Sequence, residues 1–136
     1  MSMRHEDYVT YEQSVKLKKL GFDWSCDYFY TNYLCEGVKI NKIASKNNCN
    51  EWYNDWVSSM PTLSQAAKWL REHKGIFIGI WNNACGYGWD ICDTHGTGIA
   101  KFDDNGDDLD SGMFTTYELA LSAGIDKVLE ILTNNK

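Results

Sequence analysis

PTLSQAAKWLREHKGIFIGIW, residues Pro61 to Trp81, joins a helix to a strand with only a glycine between them. The Thr62 hydroxyl can accept from the backbone N–H three residues on, and the Gln65 side chain can reach back to the N–H of Thr62. Two donors that a helix start leaves unpaired are thereby satisfied reciprocally, as in a capping box. Leu63, Ala66, Ala67 and Leu70 recur at the spacing of one helical face, and Ser64, Gln65, Lys68, Arg71 and Glu72 take the other. Gly75 is the stop. Ile76 to Trp81 is then a short apolar run rich in β-branched and aromatic residues, which predicts a strand.

Outward from this segment the same signals recur. Thr10 and Gln13 form a second T-x-x-Q box, and Gly21 closes a helix over 11–20 whose buried face is expected to include Tyr11, Val15 and Leu20. Cys26 to Leu34 alternates as a strand does, Glu36-Gly37 suits a hairpin turn, and Val38 to Ile43 is the expected partner. Residues 45–51 read as a polar loop, and Trp52 to Val57 reads either as a strand or as an irregular segment. Beyond Trp81, Tyr87 to Asp93 and Ile99 to Phe102 continue an antiparallel meander, because the connections are too short for parallel crossovers. Thr115 and Glu118 form a third box, with Phe114 and Leu119 placed as a hydrophobic staple. The last helix, 116–132, is expected to bury Tyr117, Leu121, Ile125, Val128 and Leu132. Gly124 in its interior costs about 1 kcal/mol against alanine, so the helix bends there or something packs closely on it.

The order α-β-β-x-α-β-β-β-α predicts an α+β fold: one mostly antiparallel sheet of about five strands, with three helices packed mainly on one face. The 136 residues suit a single domain spanning 1–136, and a composition of 43% hydrophobic and 24% charged residues is that of a globular chain. A net charge of −6 argues against nucleic acid as a partner, since phosphate neutralisation needs a concentrated basic face. Lys16, Lys18 and Lys19, the tightest basic cluster, are expected on a solvated helix side. No signal-like start and no run of about 20 apolar residues is present, which leads to the expectation of a cytoplasmic protein without membrane contact. Five cysteines, an odd number, suit reduced thiols better than a disulfide framework.

Chemistry-bearing patterns are few. Asp103, Asn105 and Asp107 begin with the spacing of a calcium loop, but the glycine comes too early and Phe114 stands where a bidentate glutamate belongs, so a solvated turn is expected. Cys85, Cys92 and His95 would supply three zinc ligands, without the paired C-x-x-C of a structural site. Cys92 and His95 are also the weak candidates for a catalytic pair, although His95-Gly96-Thr97-Gly98 leads from strand to strand and lacks the helix N-terminus of a phosphate loop. His73 falls in the last turn of the central helix, where an imidazolium suits the dipole. No catalytic residue, metal or cofactor is therefore assigned. Six Trp, eight Tyr and five Phe exceed what one small core needs. Trp24, Trp52, Trp56 and Trp89, near turns or in weakly patterned segments, are the candidate binding residues.

Three motifs carry a resemblance: G-F-D-W-x-C-D-Y-F-Y at Gly21 to Tyr30, P-T-L-S-Q-A-A-K-W-L-R-E at Pro61 to Glu72, and T-Y-E-L-A-L-S-A-G-I at Thr116 to Ile125. With them the chain resembles a family of small uncharacterised proteins carried on prophages and conjugative transposons of gut Bacteroidetes. The resemblance implies a mobile-element context and no particular chemistry. The expected function is a non-enzymatic module that acts through a protein partner or as a homo-oligomer. The alternative is a small hydrolase or transferase with a pocket near Cys85–His95.

Overall fold

The computed structural model describes residues 4–33, 37–47, 56–83, 86–101 and 114–134. A 3-10 turn at His5–Asp7 leads into α1 (Tyr11–Leu20), β1 (Cys26–Thr31), β2 (Lys39–Asn47), β3 (Val57–Ser59), α2 (Leu63–Lys74), β4 (Ile76–Asn83), β5 (Gly86–Asp93), β6 (Gly98–Lys101) and α3 (Tyr117–Asn134). The fold is α+β with three helices, as expected. The strands, however, form two antiparallel sheets of three, β2-β1-β3 and β4-β5-β6, where one sheet of about five was expected. The reason is that β3 pairs with the edge of β1 opposite β2, through Phe29–Ser59, Tyr30–Ser58 and Thr31–Val57, which completes the first sheet before β4 begins. Strand β2 runs on to Asn47, where a polar loop was expected from Ser45, because Asn47 still pairs with Cys26 past a bulge. Similarly β4 passes Trp81 to reach Asn83, which still pairs with Gly86.

Both T-x-x-Q boxes form as read. Gln13 N–H donates to Thr10 Oγ1 at 3.2 Å while Gln13 Oε1 accepts from Thr10 N–H at 2.8 Å. The second box repeats this with Gln65 and Thr62 at 3.1 and 3.4 Å. Gly21 ends α1 in the left-handed region at φ 99°, and the bonds Gly21 N–H to Lys18 O and Phe22 N–H to Leu17 O complete a Schellman motif that a side chain at Gly21 would strain. The third cap falls one residue later than expected: Thr116 Oγ1, not Thr115, accepts from Leu119 N–H at 3.1 Å, and α3 starts at Tyr117.

The buried faces follow the apolar pattern only in part. In α2, Leu63, Ala66 and Leu70 are buried as expected and Trp69 joins them, while Ala67 is half-buried. In α1 the buried residues are Gln13, Ser14 and Leu17, and the expected Tyr11, Val15 and Leu20 are half-buried. Polar side chains win these positions because each finds a partner across the fold. Gln13 Nε2 lies 3.0 Å from Ser122 O, 3.1 Å from Ser122 Oγ and 2.8 Å from Asp126 Oδ1, tying α1 to α3. Packing around the Asp126 carboxyl raises its pKa, and the Gln13 bond works against that rise. Ser14 Oγ donates to Tyr11 O and lies 2.7 Å from Ser58 Oγ, so Ser58 supplies the proton of that second bond. Lys18, expected on a solvated side, is half-buried and donates to Val57 O at 2.6 Å.

Helix α3 is the hub: it contacts α1, α2, β4, β5 and the 3-10 turn. Its stripe of Ala120, Leu121, Gly124, Ile125, Val128 and Leu129 is buried, and Leu132 packs partly against the core. Tyr117, expected in that stripe, is 48% exposed, because the later cap turns it outward beside Tyr87. Leu119 is exposed too, so it closes no buried staple. Gly124 receives the close neighbour its position foretold: Ile78 and Trp89 pack directly over it. One apolar cluster joins Leu17, Phe22 and Tyr30 to Trp69, Ile91 and Ile125, linking residues of both sheets with all three helices. Among the described residues no helix is long and apolar enough to cross a membrane.

Candidate functional site

Because β1 is antiparallel to both neighbours, its C-terminal end lies beside the starts of β2 and β3. Thr31 faces Lys39 on one side and Val57 on the other. The residues flanking that row therefore gather at one end of the sheet: Tyr33 after β1, Gly37 before β2 and Trp56 before β3. The ladder continues one step further, with Asn32 N–H donating to Trp56 O at 2.9 Å. This fixes Trp56 against Tyr33, ring centroids 4.8 Å apart and planes at 63°, an edge-to-face pair worth about 0.5–1.5 kcal/mol. Tyr33 is 49% exposed and Val38 47%. With Thr31, Gly37 and Lys39 the two rings line a cleft of about 240 Å³. Thr31 Oγ1 is held by Asn41 Nδ2 at 3.1 Å, and Lys39 makes no ion pair among the described residues. The cleft thus offers two aromatic walls, a fixed hydroxyl and a cation. Its volume is below the roughly 300–1,000 Å³ of small-molecule and cofactor pockets, and it fits one or two amino-acid side chains.

A larger cleft, about 360 Å³, lies where the starts of α2 and α3 meet, lined by Asp7, Thr62, Leu63, Ser64, Tyr117, Glu118 and Leu121. Its two carboxylates oppose the anion that paired helix N-termini would otherwise attract. Among the described residues no hydrogen bond joins a lining hydroxyl of either cleft to a lining carboxylate.

Neither cleft includes Cys92 or His95. Cys92 is half-buried and faces Phe77 on one side and Gly98 on the other; His95 is exposed in the β5–β6 turn. Among the described residues no hydrogen bond joins the two. What organises the turn is Asp93, whose Oδ1 accepts from His95 N–H and Thr97 N–H, both at 2.9 Å. Gly96 N–H donates to Asp93 O, Asp93 N–H donates to Thr97 O, and Gly96 sits at φ 78°. This is a type I turn closed by a glycine bulge, the standard three-residue hairpin connection. The amides of Thr97 and His95 hold the Asp93 carboxyl below its ordinary pKa. His95-Gly96-Thr97-Gly98 is accordingly turn chemistry.

The four candidate tryptophans separate. Trp56 is in the cleft. Trp89, expected near the surface, is only 7% exposed and packs its Cβ and Cγ toward Gly124; it alternates with Ile91 on the core face of β5. Trp24 is half-buried in a ring cluster, tilted on Phe22 at 6.3 Å and edge-on to His73 at 6.0 Å. His73 in turn stacks on buried Trp69 at 5.2 Å, with Lys68 6.0 Å from the Trp24 centroid and Lys74 5.6 Å from that of Trp69. That cluster covers the outer end of α2. Trp52, Cys85, Asp103, Asn105 and Asp107 lie outside the described residues. Among the described residues no group of three or more His, Cys, Asp or Glu is placed to hold a metal ion. Sequence reasoning missed Tyr33, Thr31 and Lys39. The only signal was an aromatic residue continuing the β1 alternation up to a glycine turn. Compared with protein-family models, curated proteins and solved structures, the chain gives no significant match.

Proposed function

We propose that the protein is a non-enzymatic interaction module that holds a protein partner through the Tyr33–Trp56 cleft. The observation that carries this reading is the edge-to-face pair of exposed Tyr33 and half-buried Trp56 with Lys39 at its rim, in a cleft sized for side chains. Aromatic residues that bury themselves against a partner contribute the largest share of interface energy, and an unpaired ammonium at the rim selects for a nearby carboxylate. The partner segment therefore presents an apolar side chain next to an acidic one. A cytoplasmic location and a mobile-element host belong to the same proposal, the second resting on the motif resemblance alone. The alternative, a hydrolase or transferase near Cys85–His95, draws no support from the hydrogen bonds around His95.

The test is affinity capture from the native host with the wild-type protein and with a Tyr33→Ser/Trp56→Ser variant in parallel, read by mass spectrometry. A protein retained by the wild type and lost by the variant is then purified and titrated. A loss of roughly tenfold or more in affinity supports the cleft. Identical captured sets, or affinity unchanged by the double substitution, would refute it.

A further inference from the structure

The two sheets have four edges, and three carry the devices that prevent strand addition. Strand β2 bears Lys39 and Lys42 and a bulge against β1; β3 has three residues; β6 has four and a bulge against β5. Such features keep unpaired backbone N–H and C=O groups from recruiting another strand. Strand β4 has none of them. It runs eight residues, IFIGIWNN, without a charge, a proline or a bulge, in unbroken register with β5 from Ile76–Asp93 to Asn83–Gly86. No described residue pairs with its outer side. Phe77 is 39% exposed, Gly79 and Asn82 are exposed, and Ile78 and Ile80 are only half-buried, as edge residues are.

We propose that β4 pairs antiparallel with β4 of a second copy of this chain, joining two three-stranded sheets into one of six strands. The occupant is a strand because only a strand satisfies the alternate N–H and C=O groups of an edge. It is a second copy because this strand is uncharged on a chain of net charge −6, so self-pairing here brings no like charges into opposition. A two-fold axis through Gly79 also preserves the faces. It sets Ile78 opposite Ile80 on the core side and Phe77 opposite Trp81 on the outer side, giving aliphatic and aromatic cross-strand pairs, with the two glycines meeting at the centre. This interface involves the second sheet and not the Tyr33–Trp56 cleft.

Gly79 makes the test sharp. A Cβ there meets nothing nearer than Asp90 O at 3.9 Å, so a side chain is tolerated in the single chain. In the dimer Gly79→Lys would place two ammonium groups opposite each other, and Gly79→Glu two carboxylates. Sedimentation equilibrium is expected to show the wild type at twice 15.6 kDa, each variant alone at 15.6 kDa, and their equimolar mixture back at the double mass. Amide exchange on the wild type supplies a readout without substitution: alternate β4 N–H groups lose protection on dilution while β5 does not. Salt is expected to strengthen the wild-type dimer, by screening the repulsion between two acidic chains, and to weaken the Lys–Glu mixture. A wild type that stays monomeric at every concentration overturns the proposal. So does a Gly79→Lys protein that dimerises as the wild type does, or a mixture that remains monomeric while both variants are folded by circular dichroism.

Discussion

Replacing Gly124 by alanine sets two effects of opposite sign against each other, and the structure decides between them. In an exposed helix interior the change stabilises by about 1 kcal/mol. In α3 a Cβ at this position would fall 2.8 Å from Ile78 Cγ2, with Trp89 Cβ and Cγ behind it at 3.5 and 3.6 Å. Carbon atoms in good contact sit about 3.5–4.0 Å apart, so the gap must open by roughly 0.7 Å or more. Ile78 is β-branched and cannot swing away at small cost, and Trp89 is buried. Relief must come from α3 lifting off β4 and β5, which loosens Leu121, Ile125 and Val128. Overpacking of this kind costs about 1–3 kcal/mol, leaving a net loss of up to about 2 kcal/mol. Urea unfolding followed by circular dichroism measures it. Ile78→Ala removes the opposing methyl, so in that background Gly124→Ala should stabilise by about 1 kcal/mol, reversing its sign. A Gly124→Ala protein that is more stable than the wild type would refute the packing described for α3.

Gln13→Glu keeps the cap acceptor for Thr10 but replaces the amide donor toward Ser122 and Asp126 with a carboxylate facing another carboxylate. A loss of about 1–3 kcal/mol is expected at neutral pH, shrinking as pH falls through the carboxylate range and the new acid regains a proton to donate; urea midpoints at several pH values measure this. Tyr30 donates to Val9 O at 2.6 Å, and burial pushes its pKa up to about 12. The unfolded chain ionises this phenol near pH 10. Its contribution is thus intact below about pH 10 and is lost as pH rises toward 12, on the order of 2 kcal/mol. Tyr30→Phe should flatten that alkaline limb, and equal slopes in the two proteins would contradict the assignment.

What could be read from the sequence was local. A cap needs residues three apart and a stop needs one glycine, so Thr10–Gln13, Thr62–Gln65, Gly21 and Gly75 were legible and formed as expected. The third cap slipped because Thr115 and Thr116 stand side by side, and the glutamate three residues on pointed to the wrong one. The burial of Trp89 was legible in principle from its alternation with Ile91; its nearness to turns in the sequence misled. The pairing of β3 with β1 was not legible, since it depends on two strands far apart in the chain and involves only three residues of β3. The aromatic cleft was hidden for the same reason, because Tyr33 and Trp56 meet only through that pairing. Buried Gln13 and Ser14 escaped a hydrophobic pattern that counts apolar side chains and ignores polar ones with partners across the fold.

The segment Pro61–Trp81 sets the fold's local order, yet α3 gathers its contacts, and this division bears on how the molecule would work. A second copy joined at β4 leaves the first sheet of each chain with its own cleft, so the assembled pair carries two Tyr33–Trp56 sites. A partner with two copies of the recognised segment would then bind the second site at an effective concentration set by the spacing, well above its concentration in solution. Cleft affinity and strand pairing are therefore separable by measurement. Gly79→Lys should lower the apparent affinity for a bivalent partner and leave a single-segment peptide unaffected. Tyr33→Ser/Trp56→Ser should abolish binding of both and leave the mass in solution unchanged. If Gly79→Lys weakened the single peptide as well, the two surfaces would be coupled through the core, and the assignment of independent roles to the two sheets would fall.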